Sequence, residues 1–76
     1  MKVLLITPEH SMTMEEVHKV SLPGSQGPFT VLRGHASLIS ALHKGVVCCD
    51  QKEVAVEAGV VRVKKEVITI ITEHAS

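Results

Sequence analysis

The sequence has no tryptophan, no tyrosine and one phenylalanine, Phe29. Stacking platforms for bases are built from aromatic rings, so that mode of nucleic-acid binding is excluded. Neither charge is in excess: eight Lys and Arg balance eight Asp and Glu. The basic footprint of a nucleic-acid binder or of an anionic-membrane binder is therefore missing. No apolar run exceeds Val3–Ile6, whereas a membrane span needs roughly 20 apolar residues. That run is also too short for the core of a secretory signal. The expectation is a chain with no direct membrane insertion and a cytosolic address. Cysteine is scarce too. Cys48 and Cys49 are adjacent, and neighbours on a strand point to opposite faces. They do not suit pairing with each other, and no second pair exists to build a disulfide framework. Both are expected to be reduced.

What is present is apolar and β-branched. Hydrophobic residues make up 45% of the 76 residues, too many for a disordered segment and enough for one small domain spanning residues 1–76. Its core must be thin, since a chain this short buries only about 60% of its unfolded surface. Valine is the commonest residue, and Val, Ile and Thr favour strands. Lys2–Thr7 reads as a first strand stopped by Pro8, and Glu15–Leu22 as a second stopped by Pro23. Met14, Val17 and Val20 also fit a short helix over Met12–Val20, but the β-branched content favours the strand. Pro23-Gly24-Ser25-Gln26-Gly27-Pro28 is a turn cluster. Phe29–Leu32 follows as a short strand. Ser37–Leu42 suits either a strand or a helix face.

The last third is the clearest. Val46–Cys49, Lys52–Glu57, Val60–Val63 and Glu66–Thr72 form four evenly spaced runs, joined at Asp50-Gln51, Ala58-Gly59 and Lys64-Lys65. Such spacing predicts hairpins in a sandwich or barrel. Val54 and Val56 should face inward. Val67–Ile71 is apolar on both faces, so one face should meet the core and the other a second layer or a partner. The resulting fold class is all-β, a small two-sheet β-sandwich of about eight to ten short strands.

Five histidines and two cysteines raise the question of a metal. Zinc ligands come as close pairs, twice over; here the cysteines are adjacent, and His10, His18, His35, His43 and His74 are scattered. Gly24–Gly27 lacks the Lys-Ser/Thr of a phosphate loop and opens no long helix. Ser37, His35 and Glu57 could be drawn as a triad, but no nucleophile elbow surrounds Ser37. No metal, cofactor, nucleotide or catalytic centre is therefore expected. Lys64-Lys65 is most simply a solvated hairpin tip. A carrier domain of the biotinyl or lipoyl type is the alternative of similar size, with Lys64 or Lys65 as the modified lysine; Val63 and Glu66 do not resemble the usual neighbours of that lysine.

One segment goes further. Ser21-Leu22-Pro23-Gly24, a short polar loop with Gly27, the strand Phe29–Leu32, and then Arg33-Gly34-His35-Ala36-Ser37-Leu38 resemble the signature of the F-type ATP synthase epsilon subunit. The resemblance continues through Leu42–Val47, Val54–Val61 and Val67–Ala75, and the opening Ile6–Glu9 also fits. It covers nearly the whole chain in order. Four positions depart from the pattern. Arg33 and Ser37 stand where proline is usual, Ala58 replaces a glycine, and Pro28 stands where many members carry an acid. Those changes bear on loop geometry and on a salt bridge from the loop to a basic partner.

The resemblance implies a non-catalytic central-stalk subunit of a proton-translocating ATP synthase. Such a subunit lies peripherally on the cytoplasmic face of a bacterial inner membrane. It docks the gamma subunit to the ring of c subunits and couples rotation to ATP synthesis. The loop Gly24, Ser25, Gln26, Gly27, Pro28 and Phe29 would face the ring. His35, Ala36, Leu38, Ile39 and Leu42 would lie toward gamma. Long members of the family carry a C-terminal helical hairpin with inhibitory or ATP-binding roles; this sequence ends at Ser76, and neither role is carried over.

Overall fold

The computed structural model describes all 76 residues. Nine strands and no helix form two stacked sheets, as the valine-rich alternation predicts. They are β1 (Lys2–Ile6), β2 (Ser11–Met14), β3 (Lys19–Leu22), β4 (Phe29–Leu32), β5 (Leu38–Leu42), β6 (Gly45–Cys49), β7 (Lys52–Val56), β8 (Gly59–Lys64) and β9 (Val67–Thr72). One sheet has the order β2-β1-β9-β8-β5, the other β4-β3-β6-β7. All pairings are antiparallel except β1 with β9, which run parallel in the middle of the larger sheet. The first and last strands of the chain are thus hydrogen-bonded neighbours.

Period-two alternation decides the register. Val3, Leu5, Val61, Val63, Ile68 and Ile70 point inward from one sheet, and Val20, Leu22, Val31, Val47, Cys49, Val54 and Val56 from the other. With Val17 and Leu42 they make one core of fifteen buried residues. Slipping any strand by one residue would turn this set outward, so the register is strongly fixed. The free edge of β7 is closed by the chain end. Ala55 and Ser76 exchange backbone hydrogen bonds of 2.7 and 2.9 Å, and Val56 bridges Ala75. This covering blunts an edge that would otherwise invite pairing.

Of three local expectations, two need correction and one, left open between strand and helix, is settled. Glu15–Leu22 is not one strand. Glu16 takes φ 57°, which breaks the extended chain, and β3 starts only at Lys19. The helical alternative is absent as well: Ser11–Met14 is a separate strand antiparallel to β1, with Met12 and Met14 packed against the core. Second, the run Ser37–Leu42 resolves as a strand from Leu38, because β8 offers it a five-residue ladder. Third, β7 and β8 are not a hairpin; they lie in different sheets. Gly59 belongs to β8, where a Cβ would collide with the Ile71 carbonyl oxygen. The β8–β9 turn is Lys65-Glu66, one residue later than expected, with φ of 47° and 66°. Positive φ at both positions marks a type I′ turn, whose twist suits a two-residue hairpin.

Candidate docking surfaces

The strand registers place the Pro/Gly cluster at one end of the sandwich. Leu22 opposite Phe29, Gly45 opposite Val56 and Leu42 opposite Gly59 all mark that end. Pro23 and Gly24 are buried, Ser25 to Pro28 are exposed, and Phe29 is half-buried. Gly24 is there because nothing larger fits. A Cβ would come within 2.7 Å of the Gly27 carbonyl oxygen and 2.8 Å of the Phe29 ring. The loop closes on itself through the Gly27 N–H donating to the Gly24 carbonyl at 3.0 Å.

The loop is also fastened to the other sheet. Gly24 forms a bridge with Leu42 of β5. The Ser25 N–H donates to the Ala41 carbonyl at 3.0 Å, and the His43 N–H to the Pro23 carbonyl at 3.0 Å. A Cβ on Gly45 would press on the Pro23 ring at 2.8 Å, so a second glycine is needed beneath the first proline. Sequence spacing gives no hint of these links. They join residues about 16 to 22 positions apart, and those to Ala41 and Leu42 cross between the sheets.

β5 runs from the opposite end to this latch. At its start, Gly34 takes φ 84°, and His35 and Ala36 are exposed. The His35 Nδ1–H donates to the Ala36 carbonyl at 2.7 Å, which fixes the imidazole against its own loop. Along β5, Leu38 is half-buried, Ile39 is 73% exposed and Leu42 is 3% exposed. Leu42 therefore belongs to the core, and what it offers outward is backbone. Ile39 carries the apolar surface of this strand.

The outer face of the larger sheet continues that surface. Ala41, Val60, Ile71 and Ile6 stand side by side in one cross-strand row, with Val60 45% and Ile71 54% exposed. These residues went unnamed as site candidates. Their signal was the two-faced apolar pattern of Val67–Ile71, whose second face finds no second layer. The outer face of the smaller sheet is mixed: one cross-strand row is Thr30, Ser21, Cys48 and Glu53, with the Ser21 and Thr30 hydroxyls 3.4 Å apart, while Leu32 and Val46 are 54% and 51% exposed.

No group of three or more metal-ligating side chains comes together. No buried side-chain nitrogen or oxygen lacks a hydrogen-bond partner. Cys48 and Cys49 are free and face opposite ways, Cys48 half-buried and Cys49 buried. Burial, then the neighbouring Cys48 and Asp50, push the Cys49 thiol up from 9.0 to about 11, so it is an inert core group. Lys65 sits at the hairpin tip and Lys64 ends β8.

The whole chain, residues 1–76, matches the family described as "ATP synthase, Delta/Epsilon chain, beta-sandwich domain". The chain belongs to this family. Among relatives, it is 37% identical over 76 residues to an ATP synthase epsilon chain of Campylobacter jejuni subsp. doylei, covering 93% of this chain and 59% of that one. It is 38% identical over 80 residues to an ATP synthase epsilon chain of Sulfurovum sp., covering 99% and 62%. The chain thus spans about three fifths of the length of these relatives. Among solved structures, a chain in the Euglena gracilis mitochondrial ATP synthase (OSCP/F1/c-ring) superimposes with a TM-score of 0.87 at 21% identity, over 97% of this chain and 51% of that one. A chain of the Tetrahymena thermophila mitochondrial ATP synthase central stalk/c-ring gives 0.85 at 12% identity, over 99% and 64%. At such identities the superpositions speak for the fold. No helix is long and apolar enough to cross a membrane.

Proposed function

We propose that residues 1–76 work as one unit, the sandwich of a non-catalytic central-stalk subunit. It holds the gamma subunit of an F-type ATP synthase to the c-ring, peripherally on the membrane, and turns with both. In this reading the exposed loop Ser25–Pro28, seated on Gly24 and Phe29, meets the ring. His35, Ala36 and Ile39 meet gamma. Family membership supports the assignment, and one structural observation carries its mechanics: the latch between the Gly24 loop and β5.

A coupling element must grip two neighbours and not shear between them. Here the loop at one docking surface is hydrogen-bonded to the strand at the other. Torque entering at Ser25–Pro28 passes into β5 through backbone hydrogen bonds and not through a flexible linker. The preorganised loop also loses little conformational entropy on docking. Pro28 leaves Gly24–Pro28 without a charged side chain, so its contact with the ring relies on shape and backbone polarity rather than on a salt bridge.

The test is co-purification of the protein with the membrane sector and gamma. Ser25→Glu and Gln26→Glu are expected to leave thermal unfolding unchanged and to lower recovery with the ring several-fold. Unchanged recovery would refute the loop assignment. The isolated protein is expected to hydrolyse no ATP.

A further inference from the structure

Charge is shared unevenly between the two ends of the sandwich. Of the eight lysines and arginines, only Lys44 lies at the end that carries the Gly24 loop. Three carboxylates share that end: Glu9 in the β1–β2 turn, Glu57 after β7 and Glu73 after β9. So do three of the five histidines, His10, His43 and His74. All seven side chains are exposed except Glu57, which is half-buried. The two ion pairs of the molecule, His18–Asp50 and Arg33–Glu66, lie at the other end. Ser25–Pro28 carry no charge, so these groups form a titratable rim around a neutral contact. One lysine against three carboxylates leaves the rim at −2 while its histidines are neutral, and three imidazolium charges bring it to +1.

From this placement we infer that the loop end is a pH-responsive docking rim. It meets a basic surface while His10, His43 and His74 are neutral, and it loses that attraction when they take up protons. The inference rests on the stalk reading above and deepens it: the basic surface belongs to the c-ring. Histidine is the side chain that changes charge between about pH 5 and 8. The groups around each imidazole leave the change of sign intact. His10 lines one cleft with Lys52 and Glu53 of β7, whose charges cancel. The His74 carbonyl accepts from the Glu57 N–H at 3.2 Å, which sets His74 between Glu57 and Glu73. The His43 Nδ1–H donates to the Lys44 carbonyl at 2.7 Å, so this ring takes its second proton at Nε2. A rim at −2 steers toward basic groups, and a basic partner disfavours each imidazolium. Docking and proton uptake therefore oppose each other, and affinity falls as pH falls. The Gly24 latch is made of backbone, so titration changes the charge of this end and not its shape.

The experiment is titration of the full chain onto the cognate assembly of gamma with the c-ring at about pH 7.5 and about pH 5.5, with circular dichroism at both. The native protein should keep its fold and bind about tenfold more weakly at the lower pH, chiefly through slower association. The triple variant His10→Gln, His43→Gln, His74→Gln should lose most of this response, changing less than about threefold between the two conditions. His18→Gln, at the other end, should keep the native response. If the triple variant does not fold, the three single substitutions serve instead, each shrinking the response to about fivefold. An undiminished response in the folded variants overturns this inference and spares the stalk reading, as does native binding that is equal at both pH values. Tighter native binding at the lower pH also overturns it, because the ring surface would then be acidic. Loss of the native fold at the lower pH overturns it as well, since the response would belong to folding. A native protein that does not bind the assembly at either pH overturns the stalk reading and this inference together.

Discussion

The two ends of the sandwich are braced by different physics. Pro8, Pro23 and Pro28 all lie at one end, where Gly24 and Gly45 let the Phe29 and Pro23 rings pack directly on backbone. All four non-glycine residues with positive φ lie at the other: Glu16, Asp50, Lys65 and Glu66. Left-handed backbone costs about 1 kcal/mol or more per residue, so that end needs polar contacts to hold it. Asp50 accepts from the His18 N–H at 3.1 Å and the Lys19 N–H at 3.0 Å. Glu66 accepts from Arg33 Nε at 3.0 Å and from the Gly34 N–H at 3.4 Å. The first end is stiff by exclusion of volume, which salt and pH leave alone. The second is held by exposed hydrogen bonds and charge, which both can weaken. In the role proposed above, an end that met a turning ring would gain from the first kind of stiffness.

A pair of glycine substitutions gives the largest contrast. Gly24→Ala should destabilise the protein by about 2–3 kcal/mol, because the new methyl meets backbone and ring below contact distance. Gly34→Ala at the other end meets nothing within 4 Å. It should cost only the φ penalty, about 1 kcal/mol. Denaturant unfolding of both variants checks this. Equal losses would remove the distinction between the ends.

Alkaline pH gives an effect of similar size. The Cys49 thiol, next to Asp50, is held up at about 11 against an ordinary 9.0. A group whose folded pKa is raised binds more protons folded than unfolded between those values, so stability falls as pH rises. The contribution is intact below pH 9 and is lost by about pH 11, on the order of 2–3 kcal/mol. Cys49→Ala should flatten this part of the stability profile relative to the native protein. Parallel profiles from pH 8 to 11 would refute the assignment.

Removing the Asp50 carboxylate tests the polar end directly. Asp50→Ala leaves two backbone N–H groups without their acceptor and puts alanine at φ 55°, and should cost about 1–2 kcal/mol. Asp50→Asn keeps an acceptor and tolerates the left-handed region, so about 0.5 kcal/mol is expected. A loss as large for asparagine as for alanine would show that the charge, not the acceptor, holds this end.

The same contrast marks what could be read from the sequence. The prolines and glycines of the first end announce themselves, and the alternating valines of β7 and β8 show which side is core. The kink at Glu16 has no such marker. It is stabilised by Asp50, more than 30 residues away, and by backbone pairing of Val17 with Met1. Nothing local distinguishes Glu15–Lys19 from the start of a strand. Met12 and Met14 alternate as a strand should, but methionine is no strong strand former, and β2 was lost in the helix-or-strand ambiguity around it. The roles proposed for the Gly24–Phe29 loop and for His35 rest on family resemblance. The latch that joins the loop to β5, and the gathering of three histidines at the loop end, required the registers of paired strands.

The smallest expected effect has the most informative sign. Glu66 is strained by its φ of 66°, yet it holds Arg33 and so ties the end of β4 to the β8–β9 turn across the two sheets. The Arg33 and Glu66 side chains are 80% and 45% exposed, which limits such a pair to about 0.3–0.5 kcal/mol. Glycine at the second position of a type I′ turn removes a penalty of about 1 kcal/mol. Glu66→Gly should therefore stabilise the protein by roughly 0.5 kcal/mol, and raised salt should widen the gain by weakening the native pair. Glu66→Ala loses the pair without the relief and should be destabilising by a similar amount. If glycine also destabilises, the Arg33–Glu66 contact outweighs the turn strain. The polar end would then be as firmly set as the packed one.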